Sequence, residues 1–214
     1  MKLRKMMAGM GALGVLLLSG LATEAQDKLA PAAKVTYDNK YELYGGLSFM
    51  DFQAGQNLPK RMNLGGGELL GTYWLNHRVG VGLDLRANAG TTPVFPNPYN
   101  VNRPVVYMFQ GLGGAQVRGP KNRYAAVNYH GYVGMAHGVF DSGLTYVPQE
   151  SRPAVGLYTN RNAPVAALGA SIDFNHSKKI AVRVSPDLIL EHFGSETREF
   201  VGVSGGLIYR FGKR

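Results

Sequence analysis

The chain has no cysteine, which excludes a disulfide scaffold, a thiolate metal site and thiol catalysis together. Charge is scarce as well. Only 17% of its 214 residues are Asp, Glu, Lys or Arg, against about a quarter in a soluble domain, so a water-coated helical protein fits poorly. Absent too is any mature stretch in which apolar residues recur at i, i+3, i+4 and i+7 over the length of a helix. No Gly-rich loop stands before a helix to cradle a phosphate, and His77, His130 and His176 show no metal-ligand spacing. What the chain holds in quantity is Gly, at 29 residues, and aromatics, with 12 Tyr, 9 Phe and one Trp. Aromatic and β-branched residues run through the whole length, which excludes disorder, and 23.2 kDa is room for one domain or two small ones.

The first residues, Met1-Lys2-Leu3-Arg4-Lys5, form a positive leader, followed by an apolar stretch from Met6 to Leu21 and small residues at Ala22 and Ala25. That order reads as a secretory signal peptide over residues 1–25, with Thr23-Glu24-Ala25 as the expected cleavage site. Its removal leaves 20 basic against 13 acidic residues, a net +7, from the +9 of the whole chain. Export excludes cytoplasmic enzymology. Residues 26–39 are polar and read as a loose periplasmic lead-in.

From residue 40 the period is two. Val79, Val81, Leu83, Leu85 and Ala87 alternate with Gly80, Gly82, Asp84, Arg86 and Asn88, and Leu168, Ala170, Ile172 and Phe174 alternate with Gly169, Ser171 and Asp173. Eight strands are expected, near 40–52, 62–75, 79–90, 104–117, 123–137, 164–175, 179–192 and 199–211. Each exceeds the ~9–11 residues that a tilted strand needs to cross a bilayer. The connections alternate between short turns (75–78, 118–122 and 175–178) and mostly longer segments rich in Asn, Pro and Gly (53–61, 91–103, 138–163 and 193–198). Short turns on one rim and long loops on the other are the pattern of an up-and-down transmembrane barrel. Of the 11 prolines, only Pro186 falls well inside an expected strand, and a β-bulge is expected there.

Alternation alone does not say which face meets what. The polar face is mainly Gly, Ser, Ala and Asn with isolated charges and almost no mid-strand Lys, unlike a water-facing sheet. Aromatics gather at strand ends: Tyr41, Tyr73, Trp74, Tyr124, Phe174, Tyr209 and Phe211 near the short turns, and Phe49, Phe52, Tyr107, Phe140 and Phe200 near the loops. Two such girdles match the two interfaces of a bilayer. Arg78, Arg118, Lys121, Arg123, Lys178 and Lys179 lie in or beside the short turns; solvated turns are ordinarily charged, and such a rim could also meet anionic head groups or polyanions. Nucleic acid is a poor reading, because an exported chain without a basic stripe lacks the footprint.

Three stretches carry a resemblance: Tyr41-Glu42-Leu43-Tyr44-Gly45-Gly46-Leu47-Ser48, then Trp74-Leu75-Asn76-His77-Arg78-Val79-Gly80-Val81-Gly82, and Ile180 to Val184 running on to Gly206-Leu207-Ile208-Tyr209-Arg210-Phe211. Together they resemble the outer-membrane β-barrel family of the OmpA transmembrane-domain type, over residues 40–211. The resemblance implies an all-β fold, an eight-stranded antiparallel up-and-down transmembrane β-barrel, in the cell outer membrane of a Gram-negative cell. It implies outer-membrane lipids as surroundings and the barrel-assembly machinery as a partner during biogenesis. Family members end on an aromatic residue; here Phe211 is followed by Gly212-Lys213-Arg214. Nothing follows that matches the peptidoglycan-binding domain of OmpA itself, so cell-wall tethering is not implied.

The inward positions hold Glu42, Glu68, Asp84, Arg86, Asp173, Arg183, Asp187, Glu191 and Arg210. An eight-stranded barrel has an interior only wide enough for its side chains, so these charges are expected to pair and to fill the lumen. A catalytic grouping of His137 with Asp141 and Ser142, or of Glu191 with His192 and Ser195, would need a base within hydrogen-bond reach of an activated serine. No specific motif surrounds either one. The sequence therefore points to a non-enzymatic structural or surface-interaction protein, with no cofactor, no metal, no nucleic acid and an unknown surface partner. A soluble periplasmic barrel for an apolar ligand and an outer-membrane lipid-modifying enzyme remain the alternatives.

Overall fold

The computed structural model describes residues 35–58 and 60–213, so the expected signal peptide and most of the lead-in lie outside the described residues. Alternating apolar and small polar residues give eight antiparallel strands: β1 (Asn39–Phe52), β2 (Met62–Trp74), β3 (Val79–Thr91), β4 (Val105–Lys121), β5 (Ala125–Val139), β6 (Arg161–Asn175), β7 (Ile180–Glu191) and β8 (Arg198–Lys213). Each pairs with its sequence neighbours, and β8 pairs with β1 to close the barrel. The Tyr41 level shows the closure: Tyr41 faces Tyr73 on β2 and Phe211 on β8.

All three short turns close by one local device. The Asn76 side-chain oxygen accepts from the backbone N–H groups of Arg78 and Val79, each at 2.8 Å. Asn122 accepts from Tyr124 and Ala125, again at 2.8 Å, and the Ser177 hydroxyl accepts from Lys179 and Ile180 at 3.3 and 3.0 Å. Such side chains supply a turn where the ladder ends.

Two expectations are corrected here. The turn read at 118–122 is instead at 122–124, because β4 runs on to Lys121. The bulge expected at Pro186 is absent. Pro186 pairs in register with Val203 on β8, and on the β6 side Gly169↔Asp187 and Ile172↔Val184 keep a single register across it. The irregularity falls beside Pro120, where the β4–β5 register shifts between Arg118 and Lys121. There the proline, which lacks a ladder donor, sits next to a turn that absorbs the extra residue.

The polarity of the wall is opposite to that of a soluble barrel. Outward positions carry large apolar side chains on every strand, among them Leu47, Leu69, Leu83, Val133, Leu188 and Leu207. Among the described residues, the only Asp, Glu, Lys or Arg on the outward registers are Asp51, Glu199 and Lys213, all at strand ends. The inward registers hold the buried charges. A chain built this way exposes its apolar face to hydrocarbon and satisfies every spanning backbone group around a closed sheet, which removes the soluble ligand-binding alternative.

The loops at the other end are 53–61, 92–104, 140–160 and 192–197. The longest contains a short 3-10 helix, Gln149–Val155. Val101, Leu144, Val147 and Val155 form a small apolar cluster of their own, with Val94, Tyr99 and Leu157 packed against it. Loops 92–104 and 140–160 are thus folded onto one another. Protease added to intact cells is expected to cut first within 140–160, at exposed Thr145, Tyr146 or Pro148. Cleavage at 122–124 instead would reverse the orientation.

Candidate functional site in the barrel lumen

The lumen is filled in three layers. At the loop end Phe52, Phe140, Phe193 and Phe200 pack ring against ring, with centroids 5.0 to 6.3 Å apart. Tyr158 from the longest loop joins them, edge-on to Phe140 at 5.6 Å. Met50, Met62, Leu64 and Met108 lie in the same buried cluster. This corrects the girdle expected at that rim. Phe52, Phe140 and Phe200 face inward because their positions continue the inward registers of β1, β5 and β8, and they cap the lumen. Phe49 and Tyr107, on the outward registers, are exposed.

The middle layer centres on Arg86. Its guanidinium lies 2.7 Å from Asp84 and 2.7 Å from Asp187, with Glu68 at 3.7 Å. His130 is 2.7 Å from the other oxygen of Asp187, and its ring stacks on Tyr132 at 5.1 Å. The Tyr132 hydroxyl donates to Gln116 at 3.1 Å, and Thr72 donates to the same oxygen at 3.3 Å. Gly169 is required here: a Cβ would collide with the Asp187 carboxylate and the His130 ring. Toward the loop end Glu191 stands apart from this group and accepts a hydrogen bond from the Gln110 amide.

At the turn end three guanidiniums share two carboxylates. Arg183 binds Asp173 through two bonds of 2.7 and 3.0 Å and reaches Glu42 at 3.6 Å. Arg118 lies 2.6 Å from Glu42, and Arg210 lies 3.3 Å from both Glu42 and Asp173. Asn128 donates to Asp173 at 3.0 Å. Charges this deep need both a partner and hydrogen bonds to offset desolvation, and every carboxylate in the lumen except Glu191 lies within 4 Å of a guanidinium. Signs are mixed at both levels, so no ring of one charge lines a path.

Three members of this layer lie where composition does not place them. Arg118 was expected on the basic rim, but it is 3% exposed, because β4 continues past it in the inward register. Trp74, expected in the girdle, is 1% exposed and lies under the Arg118 guanidinium at 3.8 Å. It ends β2 on the same inward face as Glu68 and Thr72. Tyr37, placed in the loose lead-in, is buried in the mouth and holds a positive φ of 57°. Its hydroxyl donates to the Asn122 carbonyl at 2.8 Å and accepts from Asn175 at 2.6 Å, while Arg118 and Arg210 lie 5.0 and 5.2 Å from its ring. Burial raises the pKa of this phenol above its ordinary value. No sequence signal marked Tyr37; parity, carried one residue further, would have found Trp74 and Arg118.

Of the other residues expected in the girdle, Tyr41, Tyr124, Phe174, Tyr209 and Phe211 are exposed and Tyr73 is half-buried. Tyr41, Tyr209 and Phe211 stack in a row across β8 and β1. Neither catalytic grouping assembles. His137 bonds Asn162, while Asp141 binds Arg152 and Asn160. His192 bonds Thr197, Ser195 accepts from Gln56, and Glu191 is inside the lumen. Among the described residues no group of three or more His, Cys, Asp or Glu is placed to hold a metal.

No family model matches the sequence, and a search of curated proteins by sequence finds no match. Solved structures do match in fold. Neisserial surface protein A aligns with a TM-score of 0.56 at 7% identity, over 80% of this chain and 97% of that one. Ail, the attachment invasion locus protein of Yersinia pestis, aligns at 0.53 and 18%, over 81% and 99%. The outer membrane protein OprG of Pseudomonas aeruginosa aligns at 0.52 and 10%, over 84% and 98%. The chain is an integral β-barrel of the outer-membrane type. Its sheet is a closed, eight-stranded up-and-down barrel.

Proposed function

We propose that this chain serves the outer membrane as a sealed, non-conducting barrel that holds a folded loop surface outside the cell, with residues 1–25 as its export signal and assembly through the barrel-assembly machinery. One observation carries the reading: the lumen is occupied at every level, by the aromatic cap, the Arg86 group and the Glu42–Asp173 group closed over by Tyr37. Open space that the loops could offer a ligand lies outside the wall, at the loop end. There a cleft of about 620 Å³ lies between loops, lined by Gln56, Phe95, Asp141, Arg152, Leu157 and Tyr158 among others. Its volume is in the range of ligand pockets, and its Arg152 is already neutralised by Asp141 at 2.9 Å. Surface interaction through these loops fits better than lipid modification: neither grouping read from the sequence assembles, and the serine, histidine and acid that do meet, Ser185, His130 and Asp187, lie inside the lumen with Asp187 ion-paired to Arg86.

Purified protein in a planar bilayer is expected to show no steady conductance, because an ion would have to displace paired buried charges and then the phenylalanine cap. Stable openings at neutral pH that Arg86→Gln or Arg183→Gln abolishes would move channel function to first place.

A further inference from the structure

The two ends of the barrel differ sharply in exposed charge. At the loop end Lys60, Arg61, Arg103, Arg152, Arg161 and Arg198 are balanced by Asp51, Asp141, Glu150, Glu196 and Glu199, and three of these cations are ion-paired: Arg61 to Asp51, Arg152 to Asp141 and Arg198 to Glu196. At the turn end Lys40, Arg78, Lys121, Arg123, Lys178, Lys179 and Lys213 face a single exposed acid, Asp38, among the described residues. None of these seven is in a salt bridge with any described residue. The two carboxylates nearest to them, Glu42 and Asp173, are buried and taken up by Arg118, Arg183 and Arg210.

The cations also sit at a definite depth. Lys40 lies 5.5 Å from the ring centroid of Tyr73, and Arg123 lies 4.6 Å from that of Tyr124. Tyr124 is exposed in the turn before β5, and Tyr73 is half-buried on the wall beside Tyr41. Exposed aromatics with a polar tip mark the level where hydrocarbon gives way to head groups, so this crown stands where lipid phosphates stand. Seven cations around one rim repel one another unless anions come between them. The surrounding leaflet supplies such anions at that depth.

We infer that the turn end is a docking crown for anionic phospholipid head groups, which gather around Lys40, Arg78, Lys121, Arg123, Lys178, Lys179 and Lys213 in the membrane leaflet facing the turns. The inference rests on the chain being an integral barrel. Failure of that reading would show separately, as failure to insert at all.

The test uses the full mature chain folded into bilayers of mixed phosphatidylcholine and phosphatidylglycerol, with spin-labelled lipids reporting the composition of the shell around the barrel. Wild type is expected to select phosphatidylglycerol, and selection should fall as salt rises. Arg123→Gln/Lys178→Gln/Lys179→Gln alters only turn residues outside the strands. It is expected to lower that selectivity at low salt by at least about fivefold, the factor worth one surface cation. Lys60→Gln/Arg103→Gln, at the loop end, should leave it unchanged. Heat-modifiable migration on a gel confirms that each variant is folded. An unselective shell around wild type, or an equal loss in both variants, overturns the inference. So does tight binding of a soluble polyanion such as heparin by the turn end without lipid selection, which would assign the crown to a partner outside the membrane.

Discussion

Replacing Arg183 with methionine is expected to destabilise the folded barrel by about 3–5 kcal/mol, the cost of removing one partner from a buried ion pair. Arg183 is 2% exposed and is the only cation bonded to both oxygens of Asp173. Arg210 reaches Asp173 only at 3.3 Å and is already committed to Glu42 and Asn175. Without Arg183 the Asp173 carboxylate keeps one distant guanidinium and the Asn128 amide. Glu42 loses its contact at 3.6 Å but keeps Arg118, so the damage should centre on Asp173. Equilibrium unfolding in urea would measure it, and Trp74, the only Trp, reports from the same layer through its contact with Arg118. The double variant Arg183→Met/Asp173→Asn should lose less than the sum of the two single changes, since it no longer strands a charge. A wild-type midpoint for Arg183→Met alone would mean that this layer does not depend on its ion pairs.

Much of this architecture is legible in the sequence, because a period of two assigns every strand residue to one of two faces. Leu83 and Asp84 need no partner strand to be placed, and Asp84 with Arg86, two residues apart on one face, is visible as a pair. The remaining contacts are not. Arg86 meets Asp187, and Arg118 meets Glu42, across the barrel interior, where closure and stagger decide which levels coincide. Neither follows from spacing along the chain. Strand ends misled for a different reason. Composition marks Arg118-Gly119-Pro120 as a turn and Trp74, Phe52 and Phe200 as interface aromatics, but the pleat continues to the last residue of each strand and settles the face. Tyr37 shows the other limit: its role comes from a left-handed backbone and turn-end partners that no local pattern announces.

Leu83→Arg tests the assignment of the faces directly. Leu83 is 59% exposed on the outward face of β3, four residues from its turn end at Val79, or about 13 Å along the strand. Its neighbours across the two ladders are Gly71 on β2 and Gly113 on β4. An arginine there would find no side chain beside it to accept a hydrogen bond or shield its charge, and no outward carboxylate lies near the middle of any strand. If this surface meets hydrocarbon, the change should cost about 2–4 kcal/mol, while Val79→Arg, at the rim among exposed cations, should cost about 0–1 kcal/mol. The contrast between the two positions is the decisive quantity, because both are outward, both are aliphatic and both belong to one strand. Unfolding in urea after folding into lipid vesicles would read it, with heat-modifiable migration as a check on assembly. Equal small costs at the two sites would place β3 against water and reverse the faces of the barrel. A large cost at Leu83 alone would fix the membrane midplane near the Gly71–Leu83–Gly113 level, with the Arg86 ion group three residues further toward the loops.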